Sequence, residues 1–473
     1  MSERSAGFFD GMFDRTLLNL RRAWRDIAES ARSAMGAPLR PDLPREDRER
    51  LREQMRTCLD GRGGEVSARA RAAELGRSYL ALSATGRKWF LRVLAESFDL
   101  DREEVDACCT RLLQASQGER PAAERALRKA LEPPRVKLLT QFNALPEGVK
   151  FLVDMRAELM RLSREDAVLA GLEQDLKSLL ASWFDIGFLE LHRINWEAPA
   201  ALLEKLMAYE AVHEIRGWTD LKNRLEPDRR CFAFFHPRMP EEPLIFVEVA
   251  LLDGMADNIH ALLDESAPLG DPAEADTAIF YSISNCQRGL AGISFGNFLI
   301  KRVVDSLAAE LPGLKTFATL SPVPGFRTWL DAELREGEEG ALTAAERRAL
   351  AALPEDRRGS LRDILLRPDW HEDAVLAHAL REPLLRLCAR YLALEKTESG
   401  RARDPVAHFH LSNGARLERL NWLADKSKKG LRQSAGIMIN YLYRLADIEA
   451  NHEAYTDHGR VAAASSLRAL LRG

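Results

Sequence analysis

The chain has 473 residues, 46% hydrophobic and 30% charged, with a formal net charge of −4. That length exceeds one core and implies two or three domains, and the near-neutral charge excludes a general nucleic-acid or membrane-surface binder, which would show a basic excess. Six cysteines without C-x-x-C spacing exclude a disulfide framework and point to reduced thiols in a cytoplasm.

The N-terminal segment, MSERSAGFFDGMFDRTLLNLRRAWRDIAESARSAM, is amphipathic and mixes Arg with acidic residues, a pattern of neither a signal nor a transit peptide. No run anywhere approaches the ~18 apolar residues of a membrane span. Residues 40–64, with Pro41, Pro44 and Gly-Arg-Gly-Gly at the end, read as loop or linker. From Ser67 to about Phe184 the pattern is helical throughout. Leu152, Met155, Leu159 and Leu162, then Leu169, Leu172, Leu176, Leu179 and Trp183, recur three and four apart with a break at Asp166. This is the seam of helices packed side by side, and it brings no polar residues together for chemistry. A bundle of this kind (residues 1–184) is expected to form a homo-oligomer, which light scattering would test.

After Asp185 short β-branched and aromatic runs appear, at Arg230–His236, Pro243–Leu252, Thr277–Ser284 and Lys315–Ser321, and these predict strands. The stretch Gly296–Leu311 is helical and ends at Pro312-Gly, so the local order is strand, glycine loop, helix, strand. A helical insertion is expected over 327–396, then the His-bearing segment DPVAHFHLSNGARLERLNWLAD and a last helical run, SAGIMINYLYRLADIEANHEAY. The expected fold class is α+β, with residues 1–184 all-α and 185–473 α/β.

Gly289, Gly292 and Gly296 lie between a strand and a helix, where backbone N–H groups and a helix N-terminus favour an anion. Their spacing is neither G-x-G-x-x-G nor the nucleotide-triphosphate loop, so the seat would be for another pyrophosphate, or the loop is a plain turn. Ser321 follows a strand and precedes Pro-Val-Pro-Gly, so its hydroxyl is held at a strand end; it is not in a hydrolase elbow. His408 and His410 form H-x-H, which on a strand would share one face, yet only Asp404 offers a third metal ligand nearby. A single acid–base histidine is the simpler reading. Tyr441 and Tyr443 would lend a phenol to a pocket or fill a core.

The blocks EPLIFVEVALL, AIFYSISNCQRGLAGISFGNFLIKRVVDSL, FATLSPVPGF, REPLLRLCARYL, DPVAHFHLSNGARLERLNWLAD and GIMINYLYRL together resemble the malonyl-CoA decarboxylase family, as a bacterial member. They cover most of residues 230–445, and the combination of GLxGxxxG, LSPxPGF and FHLxNGA is specific. The resemblance implies a helical N-terminal domain used in oligomer assembly, as a tetramer, and a catalytic domain like the GNAT-type N-acetyltransferases. It implies a carboxy-lyase turning malonyl-CoA into acetyl-CoA and CO₂, with no organic cofactor and no metal. It implies a catalytic Ser321, His410 and Tyr443, and a CoA site on Gly289, Ala291, Gly292, Ile293, Ser294, Phe295, Gly296 and Asn297, shared at the acyl end with Ser321 and His410. Family members often have an acidic residue where this chain has Ser294, so no carboxylate role transfers there. The alternatives are an acyl-CoA N-acyltransferase of the same fold and a non-catalytic acyl-CoA-binding scaffold.

Overall fold

The alternation of apolar residues three and four apart translates into a helical unit whose core is aromatic. The computed structural model describes residues 24, 25, 27, 38–60, 64–184, 186–293 and 299–472. Its first compact unit comprises Met1–Glu190, Phe235–Leu244 and Cys286–Phe295, and its second comprises Leu191–Phe234, Ile245–Asn285 and Gly296–Gly473.

Among the described residues the first unit holds α1 (Arg45–Leu59), α2 (Gly64–Ala81), α3 (Ala84–Ser97), α4 (Arg102–Gln114), α5 (Arg120–Ala130), α6 (Pro134–Asn143), α7 (Gly148–Leu162) and α8 (Ala170–Trp183). Helix α1 corrects the expectation of a loop at 40–64. Its prolines stand before the helix, where a missing N–H costs nothing, and Leu51, Met55 and Cys58 bury one face at a spacing of four and three. Phe151 centres the core, its ring 4.9 Å from Trp24, 5.0 Å from Phe142 and 5.6 Å from Tyr79. The break at Asp166 is real: its carboxylate caps a short 3₁₀ turn by accepting from the Val168 N–H, and α8 follows.

The second unit is built on an eight-stranded mixed sheet: β1 (Glu190–Ile194), β2 (Arg229–Phe235), β3 (Ile245–Leu252), β4 (Thr277–Asn285), β5 (Thr316–Thr319), β6 (Ser321–Pro322), β7 (Arg416–Asn421) and β8 (Met438–Tyr443). Strands β2, β3 and β4 are antiparallel neighbours, and β4 pairs parallel with β5 across the helix Leu299–Glu310. That is the strand–loop–helix–strand order read from the sequence. Strands β5 and β6 are one strand interrupted at Leu320, since both pair antiparallel with β8 in a single register, Phe317 opposite Tyr443 and Ser321 opposite Ile439. Strand β7 lies on the other edge of β8. The last pair joining β4 to β5 is Phe280 with Thr319, and a bulge falls on β4 beside Glu248/Val249 of β3; beyond it β4 keeps β3 while β6 keeps β8.

The segment 438–443 was expected to be helical and is β8. Ala435 and Gly436 both take positive φ, which stops the helix Lys428–Ser434, and the residues after them alternate across the sheet. Conversely, the H-x-H segment is the helix Pro405–Ser412, capped by Asp404. The insertion is helical as expected, from Phe326–Glu336 to Ala374–Ala393. Its last helix braces the turn after Ser321: Tyr391 packs on Phe326 and Trp329, and its hydroxyl lies so close to Gly325 that an added Cβ would sit 2.1 Å from it.

Candidate active site

Strand pairing puts Ser321 at a fixed point. It is 6% exposed, lies opposite Ile439, and is followed by Pro322, whose missing N–H and locked φ end the ladder there. His410, 3% exposed, is brought to it from the last turn of the helix Pro405–Ser412. Asp404 starts that helix by accepting from the N–H groups of Val406 and Ala407, and accepts as well from Gly325 N–H at 3.3 Å. One carboxylate therefore ties the helix that bears His410 to the turn that follows Ser321.

The imidazole is held on three sides. Nε2 is 3.2 Å from Ser321 Oγ, Nδ1 is 2.8 Å from Tyr443 Oη, and the ring stacks on Tyr441 at 4.4 Å. Tyr441 and Tyr443 are two apart on β8 and so present the same face. Burial pushes the His410 pKa down to about 3, so the ring is neutral near pH 7. Ser321 O–H donates to Thr319 Oγ1 at 2.8 Å, and Thr319 Oγ1 accepts from Tyr441 N–H at 3.1 Å. With the serine proton on Thr319, the consistent tautomer carries its proton on Nε2, donated to Ser321 Oγ, while Nδ1 accepts from the Tyr443 hydroxyl.

Behind this array Asn440 is wholly buried and fully bonded. Its amide donates to Thr319 O at 2.7 Å and Ala256 O at 3.0 Å, and its carbonyl accepts from Arg419 Nε and Asn421 Nδ2. Such a satisfied network fixes the strand pair on which Ser321 and Thr319 sit. Thr319 and Asn440 were missed from the sequence. Their signal lies in pairing between segments about 120 positions apart, and one of those segments was read as helix.

The helix also separates the two histidines. Two positions apart on a helix point to opposite sides, and His408 Nδ1 bonds Tyr455 Oη at 2.8 Å, whose oxygen accepts from Ala402 N–H. The H-x-H pair does not share a face. Tyr443, read from the sequence as a phenol for a pocket or a core residue, meets His410.

The described part of the glycine loop belongs to the first unit. Gly289 sits in a 3₁₀ turn, Arg288–Leu290, against α7: an added Cβ would lie 1.8 Å from Val153 O. Ala291 and Gly292 are exposed, Gly292 at φ +73°, and Ile293 is buried. Ser294, Phe295, Gly296 and Asn297 lie outside the described residues.

A helical unit and a mixed-sheet unit, the latter with a buried serine–histidine contact at a strand end, give a protein with a candidate reaction centre among the described residues. The C-terminal domain model of malonyl-CoA decarboxylase matches residues 187–473, and the N-terminal domain model of the same family matches residues 98–184. The mitochondrial malonyl-CoA decarboxylase of Anser anser anser is 40% identical over 406 residues, 82% of this chain and 80% of that protein. The Rattus norvegicus protein of the same name is 37% identical over 93% of this chain and 91% of its own length. Among solved structures, malonyl-CoA decarboxylase from Rhodopseudomonas palustris is 45% identical with a TM-score of 0.82, covering 89% of this chain and 99% of that one. That from Agrobacterium vitis is 45% identical with a TM-score of 0.80 over 89% and 99%. The chain belongs to the malonyl-CoA decarboxylase family, and it is an enzyme of that class, a carboxy-lyase. Among the described residues no helix is long and apolar enough to cross a membrane.

Proposed function

We propose that this chain converts malonyl-CoA to acetyl-CoA and CO₂, with Ser321 and His410 holding the malonyl end and mediating proton transfer. The observation that supports these roles is the buried array Thr319–Ser321–His410–Tyr443, a continuous run of hydrogen bonds through a neutral imidazole.

The bond between the carboxylate and Cα breaks, its electron pair passes into the thioester as an enolate, and CO₂ leaves. The thioester is the electron sink, so the protein's task is placement and protonation. A site this shielded from water favours the step, because the compact carboxylate charge of the ground state is dispersed in the transition state. Ser321 O–H then gives its proton to Cα while Nε2–H moves to Oγ, and the imidazolate left behind, held at Nδ1 by the Tyr443 hydroxyl, takes its proton back from water. A thioester enolate is basic enough to take a proton from a hydroxyl, so no imidazolium is needed. Tyr443 braces the ring through Nδ1. In the same proposal the loop from Gly289 to Asn297 holds the phosphate end of CoA on backbone N–H groups.

The test is to incubate purified protein with malonyl-CoA and follow acetyl-CoA and CO₂, beside Ser321→Ala and His410→Asn. Both variants should fold and lose about 100-fold or more in kcat, the usual weight of positioned acid–base groups. No CO₂ from well-folded wild type would end the decarboxylase reading. Full activity in both variants would end the site assignment and leave the reaction standing.

A further inference from the structure

Within the first unit the described part of the glycine loop meets a cluster of polar groups from α7 and α8. Arg156 of α7 is 1% exposed and is held by Glu173 of α8 at 2.8 Å. Its guanidinium donates from Nη1 to Gly289 O at 2.5 Å and from Nη2 to Ala291 O at 3.0 Å. A trans peptide points its C=O and N–H in opposite directions. Drawing the Ala291 carbonyl onto Arg156 therefore turns the N–H of Gly292 outward. That N–H donates to no described backbone carbonyl, and Gly292 is exposed.

Lys177 of α8 stands beside it, with Nζ 3.6 Å from the point a Cβ on Gly292 would occupy. The acid one turn earlier on the same helix, Glu173, accepts from Arg156 Nε at 3.0 Å. Arg156 thus takes the carboxylate that would otherwise answer the lysine, and within 4 Å Lys177 has no acidic partner among the described residues. An ammonium and an outward N–H, side by side on an exposed turn, are the donor set of a phosphate site.

We propose that the helical unit supplies part of the CoA phosphate seat: Lys177 and the Gly292 N–H bind a phosphate of CoA, and Arg156 is the positioning residue that turns that N–H outward. This rests on the reading that the glycine loop holds the phosphate end of CoA. It gives the helical unit a part in substrate binding as well as in packing.

The full chain is titrated with acetyl-CoA and with acetyl-pantetheine, which keeps the thioester and lacks the phosphates, and turnover is followed with the two malonyl thioesters. Lys177→Gln should weaken acetyl-CoA about tenfold and raise KM for malonyl-CoA by the same factor, with kcat unchanged. It should leave acetyl-pantetheine binding untouched, and Lys177→Arg should restore most of the loss. Arg156→Lys, which reaches one carbonyl at most, should shift KM in the same direction at constant kcat. Wild type that prefers CoA to pantetheine while Lys177→Gln binds both as wild type does would overturn this inference alone. Wild type with no preference for CoA over pantetheine would overturn the loop reading beneath it.

Discussion

Two tyrosines on one strand face the same imidazole, and the structure assigns them opposite consequences on losing a hydroxyl. Tyr443 Oη is 2.8 Å from His410 Nδ1, inside a site where Tyr443 is 2% and His410 3% exposed. Tyr443→Phe keeps the ring and removes the one polar partner of Nδ1, in a space closed to replacement water. A buried acceptor left unpaired costs about 1–3 kcal/mol. Part of that cost falls on folding, as a lowered thermal midpoint. The rest falls on the reaction, because nothing then selects the tautomer that presents Nε2–H to Ser321, and at about 1.4 kcal/mol per factor of ten the expected loss in kcat is roughly 10- to 100-fold. Tyr441 stacks on the same ring, yet its hydroxyl is buried without a hydrogen-bond partner among the described residues. Tyr441→Phe therefore removes an unpaid desolvation, and the variant should be as stable as wild type or more so, with kcat within about twofold. Both variants are assayed for CO₂ release and for thermal midpoint in one buffer. Equal losses in the two, or a Tyr443→Phe enzyme of undiminished kcat, would refute the assignment of His410's orientation to Tyr443.

The remaining expectations concern acid and packing. His410 and His213 are both pushed down to about 3 by burial, whereas an unfolded histidine titrates near 6.5. Between those values the unfolded chain binds protons that the native one does not, so their contribution is complete above about pH 6.5 and is lost as pH falls toward 3. Urea midpoints measured from pH 7 to 4.5 should drop, less steeply in His410→Asn by about one proton, and kcat should show no limb near 6.5 attributable to His410; an unchanged slope in the variant would contradict the buried neutral ring. Gly289→Ala places a Cβ 1.8 Å from Val153 O and must push the loop from α7. It should cost about 1–3 kcal/mol, read as a lower thermal midpoint, and raise KM for malonyl-CoA, whereas wild-type values in both would mean that the loop does not need this close approach.

Much of the chain is legible where local pattern decides. The seam from Leu152 to Trp183, the four apolar runs of β2 to β5 and the helical insertion all stand as read, because each is a single periodicity bounded by clear turn residues. The errors fall where two periodicities compete over a few residues. MINYLY offers aromatic and apolar side chains at spacings that suit a helix or a strand, and the deciding event, positive φ at Ala435 and Gly436, leaves little trace when one of the two is alanine. The shared face of H-x-H holds only on a strand, and Asp404-Pro405 just before it is a helix start, so the two imidazoles part. Ser321 and His410 were reached by motif and are in contact. Thr319, Asn440 and Arg156 were out of reach, since what singles them out is a partner more than 100 positions away.

Arg156 also bears on how separable the two parts of the chain are. A bundle cut at residue 184 would contain the arginine and Glu173 but neither carbonyl that receives its guanidinium, and it would lack Phe235–Leu244 and Cys286–Phe295, which complete the first unit. Without them the face of α7 that the 288–291 turn covers, with Val153 and Arg156, opens to water, and the cut bundle forfeits that burial and both hydrogen bonds. The helical part is thus not a cassette that expression or recombination can lift out at the obvious linker. A gene fragment meant to encode the whole first unit would have to carry Phe235–Leu244 and Cys286–Phe295 as well.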